Sequence, residues 1–169
     1  MELKDISPIE KVGYEKINHG HWVTHTEIII DATPEQVWSV LTDTEGYGNW
    51  NDIILKIDGK IEDKGKVDVL FKAGPKAKPQ LFHHNELHVE EGVEFYWSDV
   101  ATPIIGIKDR HCFRVELFEE NKTRFIQSDQ AKGGLTWLFG KMAEKIQLEV
   151  YPIFNRALKA EVERRYPKT

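Results

Sequence analysis

From Gly133-Gly134 onward the chain carries one continuous apolar stripe. Leu135, Leu138, Met142, Ile146, Val150, Ile153 with Phe154, Ala157 with Leu158, and Val162 recur every three or four residues. That spacing predicts a single long C-terminal helix, kinked near Pro152, where proline removes a backbone hydrogen bond. The sequence before it has a different period. Ile53, Leu55, Ile57 and Ile61 fall on alternate positions, as do Val67, Val69 and Phe71, then Leu81, Leu87 and Val89, then Val93, Phe95 and Trp97, then Phe113, Val115 and Leu117, and finally Thr123, Phe125 and Ala131. Period-two alternation marks strands with one covered face. One helix therefore has to cover about six or seven antiparallel strands, which predicts an α+β fold with a curved sheet wrapped around that helix. A helix is roughly 10–12 Å wide and does not fill the concavity of such a sheet. The remaining apolar space is the default ligand site.

The first strong strand runs from His21 to Asp31, with Trp22, Thr24, Thr26, Ile28 and Ile30 on one face. A helix start follows at once: Thr33 as N-cap, Pro34 at the first helical position and Gln36 completing a capping box. This helix should stop near Asp43, and the two glycines of Glu45–Asn51 predict a second short helix or turn. Gly74–Pro79 reads as a loop and Glu119–Lys122 as a polar hairpin. The length of 169 residues fits one domain over 1–169, with residues 1–20 an N-terminal extension of uncertain structure.

Charge and cysteine content exclude several function classes. Lys and Arg total 23 against 28 Asp and Glu, a net charge of −5, so the basic footprint of a nucleic-acid binder is missing. The longest aliphatic run is Ile28-Ile29-Ile30, far short of the roughly 18 residues of a spanning helix, so no integral membrane segment is expected. The first ten residues carry Glu2, Asp5 and Glu10 and no apolar core of a signal peptide. With a single cysteine, Cys112, this points to the cytoplasm. Cys112 also excludes an internal disulfide and a multi-cysteine zinc site. Whether the chain has a protein partner is unknown from the sequence.

Polar residues on the apolar faces carry the functional hint. His83 and Asn85 keep the alternation of Leu81, Leu87 and Val89; His111 keeps that of Phe113 and Val115; Gln127 and Asp129 keep that of Phe125 and Ala131. If those faces line a cavity, these groups point into it and need partners there. Trp97 shares the inward face with Phe95. Met142, Ile146, Val150 and Phe154 supply the helix wall. The candidate ligand-binding set is thus His83, Asn85, Trp97, His111, Phe113, Gln127, Asp129, Met142, Ile146, Val150 and Phe154. Trp38 and Trp50 are assigned to packing. His84 and His88 fall on the opposite, solvent-facing parity, and His19, His21 and His25 match no closed zinc motif, so neither a metal nor a cofactor is expected. Cys112 points away from the presumed cavity, where its neighbour His111 cannot activate it.

The segment Ile28-x-Ile30-x-Ala32-Thr33-Pro34-Glu35-x-Val37-Trp38, followed by Leu41-Thr42-Asp43 and Trp50-Asn51, resembles the opening of the START-like (SRPBCC) helix-grip superfamily. Within it, the chain is similar to the small polyketide cyclase/dehydrase-like and CoxG-like single-domain proteins. Further matches are Phe95-Tyr96-Trp97, His111-x-Phe113-x-Val115, Thr123-Arg124-Phe125, Gly133-x-Leu135 and Phe154-Asn155-Arg156-Ala157-Leu158-Lys159. The resemblance spans roughly residues 21 to 165. It implies a hydrophobic cavity between sheet and helix that takes a lipid, polyketide or aromatic molecule, as in a carrier or sensor. The alternative it implies is a polyketide cyclase or dehydratase using His83, His111 or Asp129 as acid or base. Two departures stand out: Asp129 where such proteins often carry Glu, and Ala131 where they often carry Phe, a change expected to enlarge the pocket.

Overall fold

The computed structural model describes residues 1–98, 100–102 and 106–168, and the side chains of residues 100–102, 139, 142 and 143 lie outside that description. The capping box forms as read. Thr33 Oγ1 accepts from the Gln36 amide (3.4 Å) and Gln36 Oε1 accepts from the Thr33 amide (3.0 Å), starting α1 (Pro34–Leu41). Its Val37, Val40 and Leu41 are fully buried. A 3₁₀ turn (Thr44–Asn49) follows. Asn51 ends it by accepting from the Ile53 and Ile54 amides at 3.0 and 2.6 Å and donating to the Tyr47 carbonyl. That aims the next strand back across the molecule.

Among the described residues, eleven strands form two antiparallel sheets. The larger runs in the order β1 (Leu3–Ser7), β2 (Glu10–Asn18), β3 (His21–Ile30), β11 (Lys122–Lys132), β10 (Ile107–Glu119), β8 (Glu94–Trp97) and β7 (Leu87–Glu90), with β9 (Val100–Thr102) pairing β10 beside this path. The smaller is β4 (Ile54–Asp58), β5 (Val67–Phe71) and β6 (Gln80–His84). The first twenty residues thus form two strands on the edge of the larger sheet. An ion pair between Arg156 and Glu10 (2.7 Å) fastens them to α2 (Thr136–Arg165). Helix α2 holds 30 residues and runs unbroken through Pro152.

The register sets residues in rows across the concave face. One row reads Leu87, Trp97, His111, Asp129, Thr24 and Tyr14. The next reads Val89, Phe95, Phe113, Gln127, Thr26 and Val12. The row after that holds Val115, Phe125 and Ile28. The apolar end is the core: Ile28, Phe95, Phe113, Phe125, Phe154 and Leu158 are all at most 1% exposed. Phe154 reaches Phe113 and Phe125 at ring separations of 5.7 and 6.3 Å. The polar row lies one step further along, where the helix no longer fills the space.

Candidate functional site

At that polar row a cavity of about 290 Å³ opens between the two sheets and α2. The small sheet supplies Ile54, Val69, Phe71, Phe82 and His84; the large sheet supplies Trp97, Asp109, His111 and Asp129; the helix supplies Ile146, Gln147 and Tyr151. A second cavity of about 150 Å³, lined by Tyr14, Trp22, Ile107, Ala131, Thr136 and Gly140, shares Asp129 and Gln147 with the first. Those two side chains therefore stand between the chambers. Ala131 lines the second chamber, where a phenylalanine would take up space. A larger groove of about 490 Å³ beside Asp31, Lys122 and Tyr166 is mainly polar. Asp31 there is engaged by Lys168 (3.1 Å) and Lys159 (4.0 Å), so it lacks the apolar walls of a ligand site.

A connected set of hydrogen bonds holds Asp129. Thr24 Oγ1 donates to Gln147 Oε1 (2.5 Å), Gln147 Nε2 donates to Asp129 Oδ2 (2.6 Å), and the Tyr151 hydroxyl donates to the same oxygen (2.7 Å). Asp129 Oδ1 has no hydrogen-bond partner. Burial pushes the Asp129 carboxyl up to about 7; the negative charge of Asp109 adds to this, while the bonds from Tyr151, the Gln130 backbone amide and Gln147 oppose it. The Tyr151 hydroxyl is pushed well up by burial and by Asp129, so it stays a donor. His111 behaves in the opposite sense. Burial, with His84 nearby, lowers it to about 3, and the ring is neutral at physiological pH. Gln127 Nε2 donates to His111 Nε2 (2.8 Å), which leaves the ring proton on Nδ1. The His111 ring packs against Phe113 (4.6 Å) and Tyr151 (4.9 Å).

The sequence-predicted residues divide into three groups. Trp97, His111, Asp129 and Ile146 line the main cavity. Phe113, Gln127, Val150 and Phe154 are buried behind its wall, at 0–2% exposure. Two expectations are corrected: His83 and Asn85 are exposed, and His83 pairs with Asp68 (2.7 Å) on the outer surface. The alternation read from Leu81 through Val89 assumed one strand. The chain leaves β6 at His84 and enters β7, in the other sheet, at Leu87, so the parity resets across Asn85-Glu86. His84 is therefore the inward histidine, stacked on Trp97 at 4.6 Å. The Met142 side chain lies outside the described residues.

Sequence reasoning missed Gln147 and Tyr151. Their signal was present: Gln147, Tyr151 and Asn155 repeat every four residues as a polar stripe beside the apolar one. Asn155 is buried and donates to Thr26 Oγ1 (2.9 Å). Among the described residues, no Lys or Arg lines either chamber, and no group of three or more His, Cys, Asp or Glu could hold a metal ion.

No family model matches the chain, and no curated protein matches it in sequence. Solved structures do match in fold. The Zhui aromatase/cyclase from Streptomyces sp. R1128 superposes with a TM-score of 0.66 at 16% identity, over 86% of this chain and 95% of that one. A START superfamily protein from Mycobacterium smegmatis gives 0.65 at 16% identity, over 86% and 99%. Human STARD10 gives 0.64 at 11% identity, over 98% and 76%. The chain therefore has the START-like helix-grip fold shared with these proteins: α+β, with a curved antiparallel sheet and a long C-terminal helix. No helix among its described residues is long and apolar enough to cross a membrane.

Proposed function

We propose that the chain binds an apolar small molecule, of aromatic or polyketide rather than long acyl type, as a carrier or sensor. The observation that supports it is the cavity itself. Ile54, Val69, Phe71, Phe82, Trp97 and Ile146 make apolar walls, and Asp129, with one unpartnered oxygen, waits at the polar row. Ligand pockets usually measure about 300–1,000 Å³ and combine apolar walls with a few polar groups that fix orientation. A volume of about 290 Å³ suits one or two fused rings. Affinity would come from apolar burial, at roughly 25 cal/mol per Å² before ordering costs.

The test is native mass spectrometry of protein purified from its host, followed by titration with naphthalen-2-ylmethanol. A bound small-molecule mass, and saturable binding lost in Ile146→Trp at unchanged melting temperature, is the expected result. An empty protein that binds no apolar probe overturns the reading.

A second reading is acid–base catalysis on the captured guest, and the Asp129 carboxyl favours it. A group titrating near 7 in the wall of a cavity can both give and take a proton. His111, neutral and depressed to about 3, is a poor base, and exposed His83 does not reach the cavity. On this reading Asp129→Asn abolishes turnover of a polyketide-like substrate while binding persists. Turnover that survives in Asp129→Asn rejects it.

A further inference from the structure

We propose that the end of the molecule where α2 begins docks on an anionic lipid surface. This surface stands apart from the reading of the cavity as a ligand site. Leu135, Trp137 and Leu138 are 40%, 52% and 57% exposed. Single exposed apolar residues are ordinary, whereas a contiguous group with a polar rim marks a contact surface. The backbone beneath the group is fixed. The Gly133 amide donates to the Gly20 carbonyl (2.8 Å), and the Trp22 indole donates to the Thr136 carbonyl (3.2 Å). The Trp137 ring lies nearly parallel to His19 at 6.3 Å, which holds it at the surface.

Lysines make the rim. Lys132 precedes the apolar group and Lys141 and Lys145 follow it. At 3.6 residues per turn, Trp137, Leu138, Lys141 and Lys145 share a sector of roughly 100° on α2. Lys108 lies directly opposite Lys132 where β10 and β11 end. Like charges set opposite one another across a strand pair destabilise it, and an anion beside them removes that cost. All four lysines are exposed, and among the described residues none of them forms an ion pair. Glu144 is the acidic exception at the edge of the sector. It is half-buried, and its charge helps push the Tyr14 hydroxyl up.

The type of cation selects the partner. Protein interfaces are enriched in Arg and depleted in Lys. No arginine belongs to this patch; the nearest in sequence, Arg110, is taken up by Glu94 (3.4 Å) and the Tyr96 ring (3.9 Å). Tryptophan suits the headgroup layer, with an apolar body and one N–H. Lysine ammoniums reach phosphates while their stems lie along the apolar boundary. The chain carries a net charge of −5, so an anionic surface repels the molecule as a whole and attracts this end, which orients the docking. Thr136 and Gly140, in the first turns of α2, line the second chamber. Docking by this end therefore sets that chamber beside the bilayer.

The experiment is co-sedimentation of the full chain with vesicles of phosphatidylcholine alone, or with about 30% phosphatidylserine, at about 0.1 M and about 1 M salt. The expected result is binding to the phosphatidylserine vesicles at low salt, at least about tenfold weaker at high salt or on phosphatidylcholine alone. Lys141→Gln with Lys145→Gln should weaken it about thirtyfold. Trp137→Ser with Leu138→Ser should abolish it at unchanged melting temperature, since both side chains are exposed. Lys76→Gln with Lys78→Gln, in the exposed Gly74–Pro79 loop, should leave it unchanged. If the apolar variant fails to fold, the Lys141 and Lys145 variant decides. Absence of binding to phosphatidylserine vesicles, or binding that the patch variants leave intact, overturns the proposal. So does an equal loss in the Lys76 and Lys78 variant, or self-association through Trp137 without vesicle binding. No arm uses a cavity guest, so failure here leaves the ligand-site reading intact.

Discussion

Replacing Asp129 with Asn keeps the side chain's shape and an acceptor oxygen for Tyr151 and Gln147 but removes its titration. In the folded chain the carboxyl titrates near 7, against 3.8 as its ordinary value. Below about pH 4 both folded and unfolded forms are protonated, and the group adds no pH dependence. Between pH 4 and 7 the unfolded chain releases its proton while the folded chain keeps it, so stability falls as pH rises. A shift of about 3 units is worth about 4 kcal/mol, fully developed above pH 8. His111 acts in the opposite direction. Its ring falls from 6.5 to about 3 on folding, so the unfolded chain holds the extra proton between those values and stability rises with pH. The two slopes cancel between about pH 4 and 6.5. Burial and His84 depress His111, so Asp129→Asn leaves that slope standing alone. Urea unfolding followed by circular dichroism from pH 4.5 to 8 should show the variant gaining on the wild type by about 3 kcal/mol across the range. Parallel curves would refute the claim that Asp129 is buried and unpaired by any cation.

Three further outcomes follow from local geometry. A methyl group at Gly140 would overlap the Trp22 indole, whose Nε1 donates to the Thr136 carbonyl (3.2 Å); Gly140→Ala should destabilise by about 1–3 kcal/mol in a thermal melt. Thr33→Ala removes half of the capping box and should cost about 1 kcal/mol in urea. Burial pushes the Cys112 thiol up to about 11, so its reaction with a disulfide reagent at pH 7.5 should run about a hundredfold slower in the folded than in the unfolded chain.

Much of the architecture was legible because it depends on local rules. The Thr33–Gln36 capping box, the stripe ending at Val162 and the inward parity of His111 and Asp129 need only the periods of helix and strand. The error at His83 and Asn85 came from the same rule applied across a break. Asn85 and Glu86 are polar whichever sheet their neighbours join, so nothing in the alternation marks the crossing, and His84 was assigned outward. The strands of residues 3–18 escaped notice because β1 lies at the sheet edge, with Leu3 and Ser7 only half buried and the residues between them exposed. The small sheet's part in the cavity was hidden for another reason. Val69 and Phe71 alternate like any strand, and only the tertiary arrangement brings them opposite Trp97.

Why the space stays open follows from the rows. At the level of Phe113 and Phe125, the helix presents Phe154 and the interior closes into aromatic packing. One row on, the sheet presents His111, Asp129 and Thr24, and the helix presents Gln147 and Tyr151. These side chains spend their reach on one another. Asp129 Oδ2 already accepts two hydrogen bonds, and moving the helix inward to fill the cavity would break both. Collapse would gain apolar burial at Trp97 and Ile146 but would strip Asp129 of both side-chain donors, and a buried hydrogen-bonding group left short of partners costs about 1–3 kcal/mol. The hydrogen-bonded bracket therefore acts as a spacer that separates sheet from helix.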